Sequence, residues 1–206
     1  AMKKLFLLMP LLLLLAMACT KEEVTPVQDE PVIQASAANL LFLREEEKLA
    51  RDVYLFAAAL YPQSPIFGNI ASSEQTHMDR TLSVLQTYQL SDPAAGIAAG
   101  EFTDTTLQQL YVQLTTKAAL GLADALWVGA TIEDLDIADI NRMLTANDVQ
   151  SDMRTLYEQL RCGSKNHLRA FTGQLLAQGV TYTPQYLDEA TYNAILAGSH
   201  QNCNQP

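Results

Sequence analysis

Positive charge is scarce in this chain. Thirteen Lys and Arg stand against 23 Asp and Glu, giving a formal net charge of -10 and a pI of ≈ 4.6. No basic run follows the first few residues, so the phosphate-neutralising face that nucleic-acid binding requires is missing and that function class is excluded. Only three cysteines occur, Cys19, Cys162 and Cys203, and no two form a close pair, which argues against a structural zinc or iron–sulfur site. There is no Gly-rich phosphate loop, no internal repeat and no stretch alternating apolar and polar residues as a half-buried strand does. Disorder is excluded as well, because 49% of the 206 residues are hydrophobic and only 17% charged.

Part of that apolar content lies outside any fold. Lys3-Lys4 precedes an apolar run from Leu5 to Leu15 and the small residues Ala16-Met17-Ala18, a pattern that reads as a signal peptide over residues 1–18. Cys19 follows directly and resembles the lipidated cysteine of a lipobox, although Ala16 stands where Leu is favoured. Lys21-Glu22-Glu23 resembles a surface-export signal of bacterial lipoproteins. The expectation is an exported protein held to a membrane through lipidated Cys19, at the outer membrane or cell surface. Residues 19–37, with Pro26 and Pro31, read as the anchor and a flexible tether.

The remainder, residues 38–198, reads as helical, with a polar tail over 199–206. The pattern predicts long helices over 39–61, 70–90, 122–145 and from about Asn147 or Asp148 to Gly179, with short helices over 104–116 and 188–196. About 30 residues separate the second long helix from the third, while the other connections are short. The fold class is therefore all-α, and one long crossover between two helical hairpins is the arrangement of a ferritin-like four-helix bundle.

Within this frame, residue types suited to metal binding recur on inward faces. Glu74-x-x-His77 places a carboxylate and an imidazole on one face of the second helix. Glu47 shares a face with Leu43, Ala50 and Tyr54, where a carboxylate is costly unless paired or coordinated. Its neighbours Glu45 and Glu46 read as a solvated run. Glu133 and Asp136 lie three apart, facing inward with Gly129 and Ala130. His167 shares a face with Leu160, Gly163, Ser164 and Phe171. Each residue has a structural alternative, a core histidine or a solvated pair, but carboxylates with one or two His per site suit iron, with manganese as a second choice.

Glu47-x-x-Ala50-x-x-x-Tyr54 and Phe67-x-x-Ile70-Ala71-x-x-Glu74-x-x-His77 look like the first two helices of rubrerythrins and ferritins. The fuller stretches Arg44–Tyr54, Ser73–Met78 and Gly163–Phe171 resemble the DUF2202 branch of the ferritin-like superfamily, over about residues 39–196. The resemblance implies a two-iron centre with Glu47 as first-helix ligand, Glu74 as bridging carboxylate, His77 and His167 as imidazole ligands and Glu133 as third-helix carboxylate. It also implies a departure, because Ser164 occupies the place where a fourth-helix Glu is usual. Asp136 is the candidate to fill that vacancy.

Two functions follow. The first is a redox enzyme acting on oxygen or peroxide at two metal ions about 3.5–4 Å apart. Glu74 and Tyr54 would be its working side chains, with Asn166 and Arg169 as supporting neighbours. The second is a non-catalytic surface lipoprotein that binds metal or a partner. Iron storage in a hollow shell does not suit a tethered chain. A homodimer stays open, as does a disulfide between Cys162 and Cys203, which an oxidising compartment permits. His200 is assigned no role.

Overall fold

The computed structural model describes residues 31–146 and 149–203. The expected signal peptide, Cys19 and most of the tether lie outside that range. All regular structure among the described residues is helical: α1 (Pro31–Leu60), α2 (Ile66–Thr87), α3 (Thr105–Ala118), α4 (Leu122–Leu144), α5 (Ser151–Ala177) and α6 (Glu189–Ala197). No described helix is long and apolar enough to cross a membrane.

Helix ends follow local chemistry. Asp104 caps α3 by accepting from the N–H groups of Thr106 and Leu107, and Asp188 caps α6 by accepting from Thr191 N–H. Past α5 the chain turns at Gly179 (φ 73°), which lets Val180 N–H reach back to the Leu175 carbonyl. Two boundaries differ from expectation. Helix α1 begins at Pro31 instead of Asn39, because proline is tolerated in a first helical turn, where its missing N–H has no partner to lose. Helix α2 begins at Ile66 and absorbs Gly68, where a loop was expected; nothing lies within 4 Å of the position a Cβ would take there, so the glycine meets no packing demand.

Helix α1 packs on α2 and α4 on α5, while α1–α4 and α2–α5 contacts join the two pairs. The core falls into two apolar clusters. One is built on Tyr54, Phe67, Leu126 and Phe171, the other on Leu43, Leu85, Ile140 and Leu160. Helices α1 and α5 run from the second cluster to the first, and α2 and α4 run the opposite way. Because α2 and α4 share a direction, the chain must return along the molecule between them, and segment 88–121 with α3 does so. Four α1 side chains fasten it, one of them Asp52, which accepts from Gly100 N–H. Arg44 pairs with Asp92 at 2.9 Å, Glu45 accepts from Thr103 and Asp104 N–H, and Lys48 donates to the Ala98 and Glu101 carbonyls.

Between the two apolar clusters lies a layer of buried polar residues that every long helix supplies: Glu46 and Glu47, Glu74 and His77, Glu133 and Asp136, Ser164 and His167. The reading of Glu45 and Glu46 as solvated is thus corrected, since only 4% and 2% of their surfaces are exposed. The crossover covers Glu45, and Glu46 faces Asp136 and Asp139 of α4.

Candidate metal centre

Helical spacing places the donors, and the antiparallel pairing brings them to one level. Three and four residues apart on a helix share a face, so Glu74 and His77 project together from α2 toward α1 and α5. The Nδ1 atom of His77 stands 2.8 Å from Glu74 Oε2 and 3.1 Å from Glu47 Oε2. The Nδ1 atom of His167 stands 2.8 Å from Glu74 Oε1 and 3.4 Å from Glu133 Oε2. Two three-donor groups result, Glu47–Glu74–His77 and Glu74–Glu133–His167, each with its ligand atoms within 4.8 Å of one another. Glu74 belongs to both. Its two oxygens face the imidazoles of two different helices.

The donor set fits metal ions better than it fits its own hydrogen bonding. Glu47 Oε1, Glu74 Oε1 and His167 Nδ1 are buried without a hydrogen-bond partner, although the last two lie only 2.8 Å apart. Atoms that close with no aligned hydrogen bond are aimed past each other, as donors are when they converge on a third body. A buried carboxylate without a partner is otherwise costly. Hard carboxylate oxygens with imidazole nitrogen suit iron or manganese.

Neighbouring groups fix these donors. The Tyr54 hydroxyl donates to Glu133 Oε1 at 2.6 Å. Ser73 Oγ lies 3.0 Å from His167 Nε2 and holds that ring edge, leaving Nδ1 toward the carboxylates. Gly163 lets the His77 ring approach α5, since a Cβ there would stand 2.6 Å from Nε2. At Gly129 a Cβ would collide with Phe171, so the small residue serves close helix packing.

Electrostatics separates the donors. Burial alone would raise Glu74, yet the two imidazoles beside it hold its carboxyl well below the usual carboxylate range. Burial would lower His167, but Glu74 and Glu133 outweigh it and push the imidazole up to about 10. His77 is raised well above the usual value, burial being overcome by Glu74 and Glu47. Burial raises Glu47, Glu133 and Glu46, and with the Glu133 charge it pushes Asp136 up to about 7.

The expected ligands Glu47, Glu74, His77, Glu133 and His167 therefore meet. Asp136 belongs to neither three-donor group. It accepts from the Ser164 hydroxyl and, with Glu46, Glu47, Glu74 and Glu133, lines a cavity of ≈ 10 Å³. Asn166 and Arg169 do not support the donors, a correction to the sequence reading. Asn166 binds the Gln201 backbone, and Arg169 binds Asn166 and the Ile195 carbonyl. Sequence reasoning missed Ser73 and Glu46. For Ser73 a signal existed, since it lies one turn before His77 on α2; for Glu46 none did, because no spacing within α1 says that α4 packs over it.

On its outer side the centre opens to a pocket of about 440 Å³, bounded by Ser73, Thr76 and His77 of α2, His167 of α5, and the tail from His200 to Cys203. A disulfide joins Cys203 to Cys162 of α5.

Comparison with known proteins agrees with this architecture. The profile of a family described as "Uncharacterized protein domain (DUF2202)" matches residues 36–199. The protein "Uncharacterized protein MJ0754" of Methanocaldococcus jannaschii is 42% identical over 180 residues, which is 86% of this chain and 95% of that protein. A crystal structure of hypothetical protein MJ0754 from Methanococcus jannaschii superimposes with a TM-score of 0.77 at 43% identity, over 80% of this chain and 93% of the other.

Proposed function

The chain belongs to the DUF2202 family, and from that premise we propose that it is a ferritin-like metalloprotein holding two ions, iron foremost and manganese second, that acts as an oxidoreductase on oxygen or peroxide. The observation that carries this reading is Glu74, whose two oxygens face two imidazoles from two helices. A carboxylate in that position would be shared by two ions, and each outer flank has its own carboxylate, Glu47 or Glu133. Bound iron would supply electrons to the oxidant and Lewis acidity toward its oxygen atoms.

The chain's own residues have definable tasks. Glu47 and His77 hold one flank, Glu133 and His167 the other. Tyr54 fixes Glu133 and is the phenol placed nearest the centre to pass an electron or a proton. Phe171 packs against both Tyr54 and Phe67 on the inner side, and all three rings are buried, so water is excluded there. The pocket on the histidine side is then the route for a small oxidant.

Metal analysis of natively expressed protein should give about two iron or manganese ions per chain. Protein loaded anaerobically with Fe(II) should consume peroxide or oxygen, and the Glu74→Ala, His77→Ala double variant should not. Equal rates in the two proteins would end the enzyme reading. Ser164 favours a second reading, a binding module with one ion or none, because it stands where a fourth-helix carboxylate would complete the set and instead bonds Asp136. A metal count of zero would support it.

The proposed location is an exported membrane face, with Cys19 lipidated. Support comes from the composition of residues 3–19 and from the Cys162–Cys203 pair, since disulfides persist in oxidising compartments. Fatty-acid labelling of the protein in cells should be lost in Cys19→Ser.

A further inference from the structure

Helices α1 and α4 meet on the side of the bundle opposite the histidine pocket, which α2 and α5 bound. Between them carboxylates follow one another inward from the surface. Outermost is a groove of about 320 Å³ whose only charged lining residue is Asp139, beside Phe42 and Leu135, and whose rim at Gln109 and Gln113 is exposed. Asp139 is partly exposed and pairs with Arg142 at 2.9 Å. Glu46 comes next, facing both Asp139 and Asp136. Innermost is the cavity of ≈ 10 Å³, lined by Glu46, Asp136, Glu47, Glu74 and Glu133 and otherwise by apolar side chains. Helical spacing makes the line continuous: Phe42, Glu46 and Ala50 share a face of α1, and Ile132, Asp136 and Asp139 share a face of α4.

Oxygen atoms along this line lack hydrogen-bond partners. Both oxygens of Glu46 are buried without one, and so are Glu47 Oε1 and Asp136 Oδ1, while Ser164 donates to the other Asp136 oxygen. Glu46 keeps only 2% of its surface exposed, and an apolar side chain in its place would avoid the cost of dehydrating a carboxyl group. The cavity has room for one body the size of a water molecule. Hard carboxylate oxygens favour small divalent cations. Glu46 belongs to neither three-donor group, so an ion beside it has fewer protein donors than an ion in the centre and is free to move on. We infer that Glu46, with Asp139 outside it and Asp136 inside it, is a carboxylate station that passes divalent cations from the groove into the centre. Ions then enter between α1 and α4, and the oxidant between α2 and α5.

The station rests on the metal reading above, and its test tells the two failures apart. Metal-free full-length protein is mixed with Co(II), and the visible absorption of the bound ion gives both the rate of uptake and the final count. Wild-type protein should fill to about two ions per chain. Glu46→Gln should reach the same count about tenfold more slowly, the lower end of what a focused field contributes to association. Asp139→Asn, at the partly exposed end, should be slowed less, about threefold, because Arg142 already offsets its charge. Circular dichroism checks that the helices remain in both variants. Wild-type rates in the folded variants would overturn the station. So would a lower final count in Glu46→Gln, which would make Glu46 a resident ligand. No Co(II) uptake by wild-type protein would instead sink the metal centre, and the station with it.

Discussion

Tyr54 donates to Glu133 inside a layer where water does not compete, so its removal is felt in two ways. Tyr54→Phe should cost about 1.5–3 kcal/mol of unfolding free energy, the range for a hydrogen bond to a charged group. It should also weaken metal binding about 10–100-fold, as loss of a ligand's outer partner does. Denaturant melts and a metal titration check the two effects separately, and a normal affinity would remove Tyr54 from the centre. Protonation gives a second prediction. His167 is raised from 6.5 to about 10 and Asp136 from 3.8 to about 7, so the native state keeps protons that the unfolded chain has lost. That stabilisation is complete below 6.5 for His167 and below 3.8 for Asp136, and it vanishes as pH climbs through about 10 and about 7 respectively. Glu74 has the opposite sign: held low, it favours the native state above its ordinary 4.5 and loses that contribution in acid. Metal-free protein should accordingly melt at falling temperatures from pH 7 to pH 10, a decline that bound metal flattens by replacing the protons. A flat metal-free profile would contradict the proton placement. Glu47, Glu74, His77, Glu133 and His167 were legible in the sequence because face-sharing at three- and four-residue spacing is a local property of a helix. Glu45 and Glu46 were not, since what covers them arrives from the crossover and from α4, and no spacing within α1 encodes that.

Single helices were read well where chemistry at their ends is local. Asp104 and Asp188 stand at the expected starts of two short helices and cap them, and Gly179 stands at the expected end of α5 and makes the turn. The start of α1 is not legible, because Pro31, its first residue, shares the composition of the tether before it. The connection after α5 shows a device that no pattern announced. Asp134 of α4, fully buried, accepts from the Tyr182 hydroxyl and from the N–H groups of Gln185, Tyr186 and Leu187. One carboxylate thereby fixes the strap between α5 and α6. Asp134→Ala leaves those donors without an acceptor and should destabilise the protein by about 2–4 kcal/mol, through unsatisfied polar groups. Hydrogen exchange should locate the loss in residues 182–188. Unchanged protection there would mean that Tyr182, packed between Trp127 and Tyr192, holds the strap without the carboxylate.

At the scale of the molecule, two apolar clusters sandwich a slab of convergent carboxylates and imidazoles. Without metal that slab is the least favourable part of the interior, because several carboxyls lack hydrogen-bond partners there. Fe(II) under anaerobic conditions, or Mn(II), should therefore raise the melting temperature markedly, by about 2.7 kcal/mol of added stability at a hundredfold excess over Kd. Glu74→Ala should show no such rise. The all-helical class and the long crossover were legible because helix lengths and connection lengths constrain neighbours. The disulfide is not legible, because the sequence does not say where the tail returns.

Helix α1 buries five successive ionisable residues, Arg44 to Lys48, round more than a full turn. Their partners come from the crossover, from α2 and from α4, in several directions at once. No two-helix fragment completes that turn, since the partners of Arg44, Glu45 and Lys48 come from the crossover and those of Glu46 from α4, and without them these side chains keep their water instead of packing. The order of assembly is thereby constrained: α1 cannot settle until the distant half of the chain has been made, so a truncated product ending before α4 should stay unfolded instead of surviving as a smaller domain.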